Sequence, residues 1–407
     1  MGFQQGLSGL NAAARNLEVI GNNVSNSNTV GFKTARAEFA DVYANSVAAT
    51  AGGSAGLGTR VATIAQSFTQ GNITTTNNPL DIAINGDGFY RLTNNGTVSY
   101  SRNGQFQLDK SGFIVSNTGA RLTGYGADAN GNVAQGTPTD LRVSNVDLPP
   151  SATTTATGKL NLDSRSANLS AAAFKLTDAT TYQGATSVST YDSLGNAHTL
   201  SYYFVKTASN AWDVFAANDG VQVGTGPVGA LNFKTDGSID TATTTLPISV
   251  SAPIGGGATT PLTVAMDFTG TTQFGTAFGV NDLTQNGYTA GKLSGFNVSP
   301  NGTIVGRYSN GQTLAQGQIA LASFTNAQGL APLGGNQWAE TATSGLPKVG
   351  APGSSTLGSL QSGAVEEANV DLTQELVHMI TAQRVYQANA QTIKTEDSLL
   401  QTIVNLR

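Results

Sequence analysis

Few side chains in this chain are equipped for chemistry, and their spacing decides against most of what they could do. His198 and His378 are the whole imidazole complement, and cysteine is absent, which removes thiolate ligands, thiol nucleophiles and disulfides together. Neither histidine has a second imidazole at ligand spacing. His378 falls beside the apolar stripe of its segment and His198 sits in a hairpin, so both are expected as solvated side chains. Gly86-Asp-Gly88 opens like a dinucleotide-binding fingerprint, but Arg91 stands where the third glycine belongs and no helix follows, so it reads as a β-turn. Gly287-Tyr-Thr-Ala-Gly291-Lys292 is one residue short of a phosphate loop and continues with Leu293 instead of Ser or Thr. Asp128, Asn130 and Asn132 have the one-three-five spacing of a calcium loop, yet Val133 replaces the sixth-place glycine and Thr139 the bidentate glutamate. Glu366-Glu367 precedes a helical segment, where negative charge suits the positive end of the helix dipole. No catalytic residue, metal site or cofactor is assigned, and an enzyme would need a polar pocket that none of these motifs supplies.

The elements around these residues follow from composition and pattern. With 407 residues the chain exceeds a single core, and only 11% of its residues are charged against 39% hydrophobic, so it is kept in solution mainly by neutral Thr, Asn, Ser and Gly. A net charge of -5 and a pI near 5.0 leave no electrostatic footprint for nucleic acid. The first residues lack a basic n-region followed by an apolar core, so no cleaved secretory signal is expected, and no apolar run is long enough for membrane insertion.

Phe3, Leu7, Leu10, Ala14, Leu17, Gly21 and Val24 alternate at spacings of four and three, the two-in-seven stripe of a coiled coil. Leu372, Leu376, Met379, Gln383, Tyr386, Ala390, Ile393, Asp397, Leu400 and Val404 repeat it in the last segment, with polar intrusions at Gln383 and Asp397. Between these helices turn chemistry dominates. Asn-Gly begins at 85, 95, 103, 130, 286, 301 and 310, and Asp-Gly at 87, 219 and 236, flanked by alternating runs such as Thr97–Ser101 and Leu200–Val205. The fold class is therefore mainly β with terminal α-helices that pair as a coiled-coil unit, an antiparallel β body and a nested outer β domain. The expected division is 1–30 with 365–407 as the helical domain, 31–70 with 350–364 as connecting segments, 71–145 with 283–349 as the β body, and 146–282 as the insert. Ala48 to Gly58 and Pro352 to Gly363 read as low-complexity connectors.

Helices at the two extremes of one chain pair most simply with each other. A narrow stripe buries little, so such a unit gains its stability from neighbours, and a stripe offered to a different surface of the next copy makes an open helical polymer. The alternative left open by pattern alone is that the helices only cap their own β core. A surface adhesin would share the composition but has no need of paired terminal helices.

Three segments carry a resemblance. Leu7 to Ala14 with Asn16 to Val24, including Asn22 and Asn23, then Thr29-Val-Gly31-Phe32-Lys33, form the first. Asn78-Pro79-Leu-Asp81-Ile-Ala-Ile-Asn-Gly86-Asp-Gly88-Phe89 is the second, and Ala368 to Val377 with Gln383 to Asn389 the third. In this order they are similar to the axial family of bacterial flagella, the rod, hook and hook-associated subunits. The resemblance covers roughly 1–145 and 283–407; the extra middle residues look like the hook branch, with the distal rod as the second reading. It implies a subunit that polymerises with itself through Leu7, Leu10, Leu17, Val24, Leu372, Leu376, Met379, Tyr386, Ile393 and Leu400. It further implies an extracellular place in the hook, uncleaved passage through the flagellar type III export gate, and contact with the distal rod, hook cap, hook-filament junction protein and hook-length control protein.

Overall fold

The computed structural model describes residues 2–42 and 56–405. It is mainly β, with helix α1 (Gly2–Ser25) opening the chain and helix α2 (Leu372–Asn405) closing it. The start of α2 is fixed by Asp371, whose Oδ1 accepts from the backbone N–H groups of Thr373 (2.9 Å) and Gln374 (3.1 Å), an N-cap that satisfies two otherwise orphaned donors. No Gly or Pro interrupts the 34 residues that follow. The start of α2 therefore depends on this aspartate, whereas Glu366 and Glu367, read from sequence as the helix-end charges, lie upstream. Glu366 belongs to the strand Ala364–Glu366 and is buried.

The chain separates into two compact units. One comprises Met1–Asn145, Gly295–Arg307 and Thr313–Arg407, the other Val146–Ser294 and Tyr308–Gln312. In the first, strands β1 (Ala35–Val42) and β2 (Gly58–Gln66) form an antiparallel ladder from Ala35↔Gln66 to Val42↔Gly58, with a bulge at Glu38/Phe39. This replaces the connecting segment expected over 31–70; residues 43–55, which hold most of the Ala48 to Gly58 connector, lie outside the described residues. The second expected connector, 350–364, is also largely strand: Ser359–Ser362 pairs with Ile82–Asn85, and Ala364–Glu366 with Ile73–Thr75. Composition misled here because a ladder is held by backbone groups, which a Ser/Gly-rich segment supplies as well as any other.

In the body, Thr313–Ile319, Arg121–Gly126, Phe89–Asn94, Thr97–Ser101, Gln337–Ala339 and Ala331–Gly334 lie side by side in one sheet. The Asn95-Gly96 turn between two of these strands has φ of 49° and 85°, the left-handed pair that a two-residue hairpin demands. Phe68, Phe89, Phe324 and Trp338 pack edge to face beneath them, and the Trp338 Nε1–H donates to Gln66 Oε1 at 2.7 Å, tying the end of β2 to the body.

The second unit holds two five-stranded sheets over a core that includes Tyr202, Phe204, Trp212, Met266 and Phe268. One sheet is antiparallel, Gly184–Tyr191 to Ala197–Ala208 to Ala211–Asn218, with Asp219-Gly220 as a left-handed turn. The other is mixed, a strand direction that the alternating runs and turns of the sequence do not disclose: Thr155–Asp163 runs parallel to Leu262–Asp267 and Thr272–Phe274 and antiparallel to Gly279–Gln285. Parallel neighbours require a long crossover, and the whole antiparallel sheet serves as that connection.

His198 is not solvated as expected. Its Nδ1 lies 2.7 Å from Asp219 Oδ2 and its Nε2 3.4 Å from Asp192 Oδ2, with the imidazole only 14% exposed. Asp192 also accepts the N–H groups of Leu194 and Asn196, and its pKa falls to about 2. The Asp219 hydrogen bond, opposed by burial and aided by Asp192, raises the His198 pKa. A raised imidazole pKa stabilises fully below its ordinary value near 6.5, and that contribution is lost as pH rises through the folded value. Protection of the Ala197–Ala208 amides, corrected for intrinsic exchange rates, should therefore fall as pH climbs from below 6.5 into the alkaline range, and His198→Gln should flatten the profile.

Candidate assembly interface

The end of α1 and the approach to α2 meet at a buried cluster of charge. Lys33 Nζ lies 2.7 Å from Glu366 Oε1 and donates to Thr69 O at 2.6 Å; both side chains are wholly inaccessible. Gly71 N–H donates to the same Oε1 at 2.9 Å. Arg102 Nε stands 3.1 Å from Glu366 Oε2, and Arg102 Nη1 donates to Gly86 O (2.9 Å) and Gly88 O (2.6 Å). Burial, the largest influence, lowers the Lys33 pKa; Glu366 opposes that shift and Arg102 reinforces it. The positive φ of Gly86 (109°) and Gly88 (125°) turns these two carbonyls toward Arg102, a backbone shape that residues with a Cβ rarely adopt.

Asparagines complete the joint. Asn23 on the last turns of α1 donates from Nδ2 to Ala35 O (2.7 Å) and accepts Ala35 N–H on Oδ1 (3.0 Å), pinning β1 beneath the helix. Asn369 accepts Thr34 N–H (2.8 Å) and donates to Ser67 O (2.9 Å). Gly31 has φ of 72° and its N–H donates to Glu366 O at 2.8 Å; a Cβ there would collide with the Asn103 backbone. Of the other motif residues, Phe89 is in the aromatic core, buried Asp81 accepts from Asn78 Nδ2, Phe32 is half-buried, Pro79 is exposed with its carbonyl on Ser362 Oγ, and exposed Asn22 accepts the Asn26 N–H. The role of Lys33, Arg102 and Glu366 as one cluster was not legible in advance, because the partners stand 333 and 264 residues apart.

The two helices pair antiparallel: Gly6 lies against Ile393 and Gly9 against Asn389, where a Cβ on Gly9 would stand 2.7 Å from Asn389 Oδ1. The face of α1 turned into the chain carries Gly6, Ala12, Ala13, Val19, Ile20 and Asn23. The regular stripe faces elsewhere. Phe3 and Leu7 are exposed (45% and 43%), and Leu10, Leu17 and Val24 are half-buried. On α2, Leu372, Leu376, Tyr386 and Leu400 are exposed and Met379 is half-buried, while half-buried Ile393 packs on Gly6, so that expected polymer contact is engaged within the chain.

Comparison with known proteins covers these parts in order. Residues 3–33 match the flagella basal body rod protein family, 83–162 the flagellar hook protein FlgE/F/G D1 domain, 161–288 the flagellar basal body protein FlaE D2 domain and 361–406 the flagellar basal body rod FlgEFG protein C-terminal family. The chain is 44% identical over 416 residues to the flagellar hook protein FlgE of Salmonella typhimurium, with all of both chains covered. It is 44% identical over 414 residues to that of Escherichia coli, again with all of both chains covered. To that of Borreliella burgdorferi it is 32% identical over 435 residues, covering 99% of this chain and 98% of that one. The crystal structure of Helicobacter pylori flagellar hook protein FlgE2 shares the fold at a TM-score of 0.52 and 14% identity, over 71% of this chain and 99% of that one.

Removing one member of a buried ion cluster strands the others without compensation. Glu366→Ala leaves two cations in a site closed to water, and urea unfolding of the first unit, read by Trp338 fluorescence in a Trp212→Phe background, should show a loss of about 3–5 kcal/mol.

Proposed function

The chain belongs to the flagellar hook protein FlgE family, a family of structural subunits that build the hook, and from that premise we propose how its parts divide the work. The terminal helices form the inner layer of a helical homopolymer, the β body a middle layer and the residues around 146–282 an outer layer. The observation that carries this reading is the pair of outward apolar stripes. Leu7 and Phe3 on α1 and Leu372, Leu376 and Leu400 on α2 are left open to water although the same helices bury glycine and alanine against each other. Large apolar groups on a helix surface are stabilised only when another surface covers them, at roughly 25 cal/mol per Å² removed from water.

A hook transmits torque while it bends. In this reading the packed helical layer resists twist, and the second unit, whose surface is rich in Thr, Ser, Asn and Gly, slides against its neighbours with little change in contact energy. Other copies are the first partner. The distal rod, cap, junction protein, length-control protein and type III export gate are proposed contacts, with an extracellular location reached by that export route. No catalytic step is required of any residue. The distal rod remains the second reading in principle, and full-length agreement with proteins named as hook subunits weighs against it.

Electron microscopy of basal bodies from a strain with an in-frame deletion of this gene tests the reading: complete rods without hooks are expected, and truncated rods would transfer the chain to the rod. Leu17→Asp and Leu376→Asp should each abolish polymerisation, raising the critical concentration by more than about a hundredfold, because each places an unpaired charge in an apolar contact. Hydrogen exchange of the β body should stay at the parent's level, and normal polymer from both variants would discard the stripes as the interface. Joining Asn145 to Gly295 should leave a tube that polymerises but has lost its supercoil; failure to polymerise would count against the layer assignment.

A further inference from the structure

Between α1, α2 and the β1–β2 ladder runs a cleft of about 1020 Å³. Its lining extends from Gly9 to Asn23 on α1 and from Asn389 back to Glu375 on α2, about 21 Å along either helix. Ala12, Ala13 and Ala382 give it a shallow floor, and Val19, Val385 and Phe39 give it apolar walls. The lining is mixed, with Asn16, Arg36, Glu375 and His378 beside the apolar side chains, and folded interiors keep few voids larger than a water molecule, so a cleft this long within one compact unit is a seat for something outside the described fold. Its length suits a helix, and small residues along the floor let a second backbone come close.

Among the described residues, the last turns of α2 extend past the helix they pair with. Antiparallel pairing sets Gly6 against Ile393, so α1 ends opposite residues near 397, and the turns of α2 from there to Asn405 project about 12 Å beyond it. Leu399 and Leu400 on this overhang are both 54% exposed. The overhang cannot enter the cleft of its own chain: α2 is one uninterrupted helix whose 375–389 stretch already forms the cleft wall, and its end points away.

We propose that the last turns of α2 in one copy seat in the α1/α2/β1–β2 cleft of the next copy. Seat and plug are different surfaces of the same chain, so the contact is heterologous and propagates as an open row, with Leu400 at the end of the α2 stripe engaged in the cleft. The inference rests on the polymer reading and names one of its contacts.

The absence of cysteine makes the test direct. Val385→Cys in one population is mixed with Leu400→Cys in another, polymerised and oxidised with copper phenanthroline; Phe39→Cys with Leu399→Cys is the second pair. All four positions are exposed, so the substitutions spare the core. Each pair should give a disulfide dimer on a non-reducing gel at ten or more times the yield of a Leu346→Cys with Leu400→Cys control, and only in polymer. Normal polymer in which neither pair cross-links would overturn the proposal, as would a Val385→Cys/Ala49→Cys chain that closes its disulfide internally and so places residues near 49 in the cleft. Parent protein that fails to polymerise would instead overturn the polymer reading.

Discussion

Three charges shut away from water set the terms for the rest of the first unit. A buried carboxylate is tolerated only when its charge is compensated, and Glu366 has hydrogen bonds from Lys33 and Gly71 on Oε1 and the Arg102 guanidinium 3.1 Å from Oε2. Each of those groups must then be delivered by its own segment: Lys33 by the turn leaving α1, Gly71 by the stretch after β2, Arg102 by the end of the strand Thr97–Ser101, its guanidinium also donating to the Gly86 and Gly88 carbonyls. The short ladders Ser359–Ser362 with Ile82–Asn85 and Ala364–Glu366 with Ile73–Thr75 hold the segment that carries Glu366 in register. With that node in place the helices leave the body from neighbouring points, and Asn23 and Asn369 fix the points of departure.

What the sequence disclosed and what it concealed divide along the range of the forces involved. Asn95-Gly96 and Asp219-Gly220 were readable as hairpin turns because the preference for positive φ belongs to those two residues alone. The N-cap at Asp371 is equally local. Glu366 was read as a helix-end charge because nothing within a few residues reveals a lysine more than three hundred positions away. The mixed sheet of the second unit escaped for the same reason: strand direction depends on where the chain returns, and alternation within Thr155–Asp163 does not encode it.

The helices show a subtler limit. Periodicity located a stripe on α1 correctly as a stripe, yet α1 carries two: one of large residues, Phe3, Leu7, Leu10 and Leu17, and one of small residues with Val19 and Ile20. A single sequence gives no reason why the smaller set should face the chain's own α2. The structure supplies it, since Gly6 and Gly9 bring the two backbones close and leave no room for larger side chains between them. This inverts the arrangement of an ordinary globular helix, whose largest apolar groups point inward, and it makes the helix pair of an isolated chain the least self-sufficient part of the molecule.

The 333 residues between Lys33 and Glu366 also bear on time. A chain made from its N-terminus presents Lys33 early and Glu366 only when nine-tenths of synthesis is complete, so the lysine spends that interval hydrated and uncommitted. Long-range closures of this kind are slow, because the intervening loop must be gathered before the contact returns anything. Local hairpins in the second unit can form meanwhile, but the joint at the base of the helices cannot. The molecule thus carries a built-in delay: the joint that anchors the paired helices to the first unit closes only when the chain is nearly complete.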